Sequence, residues 1–169
     1  MLSEKIQQAL NNQLNSEFSS AYTYLSLAAY FEDLELNGFA HWMKIQYQEE
    51  LMHAERIYAF INDRDGRVRL QALAAPQGDW DSPLDAFKFA LAGERALSER
   101  IYEVVDEALA ERDHATHTFM QWFVNEQVEE EAIVRNIVSD MELIIESRDG
   151  IFLMDRDLAG RRPQGEGMN

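Results

Sequence analysis

The chain of 169 residues contains no cysteine, so it has neither a disulfide framework nor a thiolate metal site. Lysine is almost as scarce, with three residues and no basic tail, against 31 acidic side chains. The resulting formal charge of -16 repels nucleic-acid phosphates and anionic lipid and attracts cations. Neither a nucleic acid nor a membrane is therefore an expected partner. No run of 18 apolar residues exists to span a bilayer. The opening Met1-Leu2-Ser3-Glu4 lacks the charged-then-apolar layout of a signal peptide, and a cytoplasmic location is the expectation. What the chain does have is 46% hydrophobic and 27% charged residues, the balance of an ordinary globular domain long enough to bury a core.

The apolar residues recur with a helical period. Ser3 can cap a first helix whose stripe Ile6, Leu10, Leu14, Glu17, Ala21, Tyr24, Ala28, Phe31 runs to about Asp33. Asn37-Gly38 reads as a turn, and a second helix follows from about Phe39 to Asn62. Asp65-Gly66 stops it. A stretch of roughly 17 residues without helical period then leads to Ser82-Pro83, a capping serine with proline at the first helical position. Extended, that stretch reaches about 55 Å, while a 26-residue helix is about 39 Å long, so it can cross a whole bundle. Its alternation Val68, Leu70 suggests a short strand paired with a second copy. The third helix carries the stripe Leu84, Phe87, Leu91, Glu94, Ser98, Ile101, Val105, Ala108. After a break near Arg112-Asp113, the fourth carries Thr116, Phe119, Phe123, Gln127, Glu130, Val134, Ile137, Met141, Ile144. Asp149-Gly150 reads as another turn before a short fifth helix, Ile151 to Leu158. The expected fold is all-α: a four-helix bundle with one long crossover between helices 2 and 3. Residues 1–160 form the domain, and 161–169 are expected to be a disordered tail.

Polar residues interrupt these stripes at matched depths. Glu17 to Glu50 and Glu94 to Gln127 are both 33 residues apart, and adding 77 carries Glu17 to Glu94, Glu50 to Gln127 and His53 to Glu130. Two helical hairpins related by a pseudo-two-fold would bring all six to one level, with Glu49 and Glu126 beside them. A Glu-x-x-His pair on a helix is by default a solvated pair, but Phe39, Met43 and Ile57 share the Glu50–His53 face. Several carboxylates in one core cannot all ionise without cations between them. Oxygen donors with one imidazole suit Fe or Mn, and less specifically Zn. Glu50 stands where it bridges two ions, with Glu17 and His53 completing one site and Glu94 the other. Tyr24 and Trp122 are by default core aromatics, and Glu131 is read as exposed.

On these residues the chain resembles a ferritin of the bacterial haem-free type over residues 1 to about 160. The resemblance rests on Gln13-Leu14-Asn15-Ser16-Glu17, Tyr22-Thr23-Tyr24-Leu25, Glu49-Glu50-x-x-His53-Ala54, Glu94, and Asn125-Glu126-Gln127-Val128-Glu129-Glu130. It implies a homo-oligomeric, hollow 24-subunit shell that oxidises Fe(II) with O2 or H2O2 and stores ferric mineral. It assigns Glu17, Glu50 and His53 to a first iron site. Glu50, Glu94 and Glu130 fall to a second, with Gln127 close by. Glu49, Glu126, Glu129 and Glu130 fall to a third, and Tyr24 is a source of an electron. The haem-containing relatives carry a second Glu-x-x-His, where this chain has Gln127 and Glu130. Their haem methionine directly follows the bridging glutamate, where this chain has Leu51, so no haem is expected. Where animal ferritins line a three-fold pore with acidic residues, this chain has Thr116, His117 and Met120. Two other classes compete: a non-storage di-iron oxidoreductase such as a peroxide reductase, and a metal-free interaction bundle.

Overall fold

We describe residues 2–144 and 147–163 of a computed structural model. Five helices follow one another: α1 Glu4–Asp33, α2 Asn37–Asp63, α3 Pro83–Ala110, α4 His114–Ile144 and α5 Arg148–Leu158. The first four form the bundle, and α5 packs on α2 and α4. Ser3 caps α1 and Ser82 caps α3, each hydroxyl accepting a backbone N–H three residues on. The ends of α1, α2 and α3 share one device. Glu35, Asp65 and Arg112 adopt positive φ of 59°, 56° and 56°. The following N–H groups then return to Phe31, Ile61 and Ala108 carbonyls at 3.0, 2.8 and 2.8 Å, satisfying carbonyls that the helix leaves orphaned.

Two expected turns lie elsewhere. Asn37 and Gly38 are the first residues of α2, and the chain reverses just before them, around Glu35. Gly38 serves close approach instead: a Cβ there would stand 1.6 Å from the Asp155 carbonyl oxygen, so only glycine lets α5 dock. Asp155 Oδ1 in turn accepts the N–H groups of Gly38 and Phe39 at 2.7 and 3.1 Å. It thereby caps a helix whose own N-cap residue, Leu36, provides no side-chain bond. Asp149-Gly150 likewise falls inside α5, whose start is capped by the Ser147 hydroxyl.

The core is two apolar halves. One contains Leu27, Phe31, Phe39, Met43, Phe87, Val134 and Met141; the other contains Ile6, Leu10, Leu14, Ile57, Ile61, Ile101, Met120 and Phe123. Burying each such side chain contributes about 1.5–3 kcal/mol. Helices α1 and α4 run from the second half to the first, and α2 and α3 run the other way. The link between α2 and α3 must therefore travel the length of the bundle, which is why it is long.

That crossover is laced to α1. Arg67, Arg69 and Gln71 donate their backbone N–H to Gln7 Oε1, Asn11 Oδ1 and Asn15 Oδ1 at 2.7, 2.5 and 2.8 Å. The Asn11 and Asn15 amides return bonds to the Arg67 and Arg69 carbonyls at 3.0 and 3.1 Å. Four helical residues rise about 6.0 Å and two extended residues about 6.6 Å, so the two ladders stay in step. Farther along, Ser26 donates to the Gln77 carbonyl and Tyr30 to that of Trp80. No strand forms among the described residues of the single chain; the side-chain amides of α1 engage Arg67, Arg69 and Gln71, the alternate residues to Val68 and Leu70, for which pairing with a second copy is expected. Of the expected disordered tail, 164–169 lie outside the described residues. Residues 161–163 are described, and Arg161 rests against the bundle.

Candidate metal centre

Between the two apolar halves lies one polar layer: Glu17 from α1, Glu50 and His53 from α2, Glu94 from α3, and Gln127 and Glu130 from α4, all buried. His53 Nδ1 is 3.8 Å from Glu17 Oε2 and 3.9 Å from Glu50 Oε2. The ligand atoms of these three residues lie within 4.8 Å of one another, and no other such group is found among the described residues. Two ligand atoms each about 2.1 Å from one first-row ion stand no more than about 4.2 Å apart, and both His53–carboxylate separations meet that limit. The imidazole is held by edge contacts to Trp122 and Phe123, with ring centroids 5.3 and 5.9 Å away.

Glu94 faces different partners. The Tyr24 phenol donates to its Oε1, and Gln127 Nε2 donates to its Oε2 and to its carbonyl, both at 3.1 Å. Glu130 Oε2 accepts from Gln46 Nε2 at 3.0 Å. Glu17 Oε1 accepts from Gln13 Nε2 at 2.7 Å. Gln13, Gln46 and Ser98, which lies 3.3 Å from Gln127 Nε2, were not singled out by the sequence reading. A signal was present: Gln13 and Gln46 each sit four residues before a core glutamate, one turn away on the same face.

The polar atoms left over are informative. His53 Nε2 and Glu130 Oε1 are buried without a hydrogen-bond partner, and Glu17 Oε2 and the two Glu50 oxygens meet no donor from another side chain, the two carboxyls having only a proton held between them to share. Buried polar atoms are paired in the great majority of cases, so this concentration of acceptors facing no donor fits a cation-binding donor set. Electrostatics agree. Burial pushes Glu17 up to about 7. Burial, followed by the charges of Glu94 and Glu17, raises Glu50 well above the usual carboxylate range. Burial, with Glu94 and Glu49 adding to it, raises Glu130 to about 8. Burial also lowers His53 to about 4, helped by Arg56, which stacks over Trp122 at 4.2 Å. At neutral pH Glu130 thus keeps its proton, Glu17 is about half protonated and His53 is a neutral imidazole ready to coordinate, and a cation would replace the protons that remain.

The residues assigned to a third site are spread more widely. Glu49 is buried, Glu126 half-buried and Glu129 exposed. Glu126 is raised by burial and by the nearby charges of Glu129 and Glu49, so the three sit near one another without closing to the spacing of the inner trio. Glu131 is half-buried rather than exposed, its Oε1 accepting from Ser98 at 2.6 Å. Of the three positions matched to the acidic pore residues of animal ferritins, Thr116 and Met120 are wholly buried and His117 is half-buried.

Residues 7–144 match the family described as the ferritin-like domain. The chain is 35% identical over 161 residues to the bacterial non-heme ferritin of Staphylococcus aureus strain MRSA252, covering 95% of this chain and 97% of the relative. The protein of Staphylococcus haemolyticus is equally similar over the same length. Among solved structures, the open-pore ferritin of the hyperthermophilic archaeon Archaeoglobus fulgidus is 46% identical with a TM-score of 0.95, covering 96% of this chain and 100% of that one. A humanized archaeal ferritin is 44% identical, again with a TM-score of 0.95, over 96% and 99% of the two chains. By its sequence, its fold and its relatives, the chain belongs to the ferritin family.

Proposed function

We propose that this protein is an iron-storage ferroxidase acting within a hollow shell of 24 copies. The observation that carries the reading is the convergence of Glu17, Glu50 and His53 in a buried layer that leaves His53 Nε2, Glu130 Oε1 and carboxylate oxygens of Glu17 and Glu50 without a donor from the surrounding side chains. Fe(II) is the substrate. One ion takes Glu17, Glu50 and His53; a second takes Glu50, Glu94 and Glu130, with Gln127 holding the Glu94 carboxylate. Each Fe(II) gives up one electron, and O2 with two protons leaves as H2O2, or H2O2 with two protons leaves as two waters. The carboxylates lose their protons as the ions bind, which places protons beside the oxidant. With three Fe(II) oxidised, Tyr24, hydrogen-bonded to Glu94, would supply the fourth of the electrons that take O2 and four protons to two waters. Fe(III) then moves by way of Glu49, Glu126, Glu129 and Glu130 to a mineral store. Glu130 and Gln127 occupy the positions of the second Glu-x-x-His of haem-containing relatives, and the chain is read as haem-free.

The test is stopped-flow absorbance after adding about two Fe(II) per chain in air, with particle mass measured alongside. Fast oxidation on a 24-subunit particle, abolished by Glu17→Ala and by His53→Ala, is the expected result. Unchanged fast oxidation in both variants would overturn it. Fast oxidation on a dimer would transfer the reading to a non-storage di-iron oxidoreductase, and no fast phase in the unaltered protein would leave a metal-free bundle.

A further inference from the structure

Arg161, three residues beyond the end of α5, turns its side chain back onto the bundle, where it is only 14% exposed. Its Nη2 donates to Glu49 Oε2 at 2.6 Å, and its guanidinium lies 4.3 Å above the Trp42 ring. Its carbonyl oxygen is 3.0 Å from His41 Nε2. The other prong, Nη1, is buried with no hydrogen-bond partner. Guanidinium groups bind carboxylates best through two parallel bonds, and here one is made. Close by, Glu130 is wholly buried and leaves Oε1 unpartnered; it feels the charges of both Glu49 and Arg161. The positive group therefore bonds one of the four carboxylates assigned to the third iron position and acts through its charge on a second.

We propose that Arg161 is a tethered competitor for that position: its guanidinium holds the Glu49 corner, and a divalent ion arriving at Glu49, Glu126, Glu129 and Glu130 displaces it. The proposal rests on the metal-centre reading above. A guanidinium and a divalent cation cannot share one carboxylate oxygen in a poorly screened site, where like charges a few ångströms apart repel strongly. Displacement also gives up the contact with Trp42. The helix itself stays, because Asp155 remains bonded to the start of α2, so the movement begins beyond Leu158. The inner pair of ions consequently fills first, and the third position opens to cations that outcompete the arginine.

The test uses Zn(II), which has no redox chemistry, on the full assembled protein. Calorimetric titration separates a class of sites lost in His53→Ala from a class lost in Glu49→Gln. An arm docked about nine-tenths of the time weakens the apparent affinity of the second class about tenfold. Arg161→Gln is therefore expected to tighten that class about tenfold and leave the first unchanged. Arg161→Lys, which keeps the charge but loses the fork and the ring stacking, should fall between them. By hydrogen exchange, Zn(II) should loosen the amides of 159–162 in the unaltered protein and have no such effect in Glu49→Gln. Equal Zn(II) affinity in Arg161→Gln and the unaltered protein, or no exchange response to Zn(II), would overturn the proposal. Absence of the His53-dependent class would instead overturn the metal-centre reading, so the two failures are distinguishable.

Discussion

Gln46 on α2 donates its side-chain amide to Glu130 Oε2 on α4 at 3.0 Å, both residues being fully buried. That one bond does not offset the burial of the carboxyl group, which still holds its proton up to about pH 8. The predictions start from that imbalance.

Without metal, the protein should lose stability as pH rises from 6.5 to 8.5. The folded-state values of Glu17 and Glu130, about 7 and about 8, lie above the ordinary 4.5, so the folded chain binds more protons than the unfolded one. Stability contributed this way is fully present below about 4.5 and is lost as pH passes through 7 and 8. His53 works in the opposite sense. Its value of about 4 lies below the ordinary 6.5, so its contribution grows up to 6.5 and is constant above it. Guanidinium unfolding midpoints should therefore fall across this window, and Glu130→Gln should flatten the fall. An identical slope in the variant would show that Glu130 is not buried as described.

Metal binding should release protons. At pH 6.5 Glu17, Glu50 and Glu130 are largely protonated in the metal-free layer, and ligands must deprotonate to coordinate. Zn(II) added anaerobically to weakly buffered protein with an indicator dye should release at least one proton per chain at pH 6.5. The release should be smaller at pH 9. Zn(II) bound without proton release would contradict the electrostatics of the layer.

Tyr24→Phe should leave the fold intact and weaken the centre. The phenol is the donor to Glu94 Oε1, and removing a buried partner costs about 1–3 kcal/mol. Loss of a group that orients a metal ligand typically costs 10–100-fold in affinity or activity, so the fast phase of Fe(II) oxidation should slow by about that factor. An unchanged rate would reduce Tyr24 to a packing residue.

Asn11→Ala should loosen the crossover without touching the centre. It removes the acceptor for Arg69 N–H and the donor to the Arg67 carbonyl. We expect about 1–3 kcal/mol of destabilisation, or about 2–4 °C of melting temperature per kcal/mol for a chain of this size. Faster amide exchange at Arg69 and Gln71, with Zn(II) affinity retained at the inner trio, is the accompanying signature. Unaltered exchange there would mean that the ladder does not hold the strap.

The helices could be read from the sequence because each depends on local terms: a 3.6-residue apolar period, serine caps at Ser3 and Ser82, and proline at position 83. The layer could be read because Glu17, Glu50, His53, Glu94, Gln127 and Glu130 interrupt those stripes at spacings that already encode depth along a helix. Where the reading went astray, the deciding partner was distant in sequence. Asn37-Gly38 looked like a turn because nothing local reveals that α5 needs a glycine to approach.

The sequence by itself determined the all-α class, the long strap and the depth of the polar layer, since periodicity and spacing are properties of a single helix. Only the tertiary structure decided which donors close on one point. The trio Glu17, Glu50 and His53 comes together within 4.8 Å, whereas Glu94 turns to Tyr24 and Gln127 and Glu49 is met by Arg161. Side-chain direction and long-range pairing depend on how helices pack against one another, and no local pattern records that.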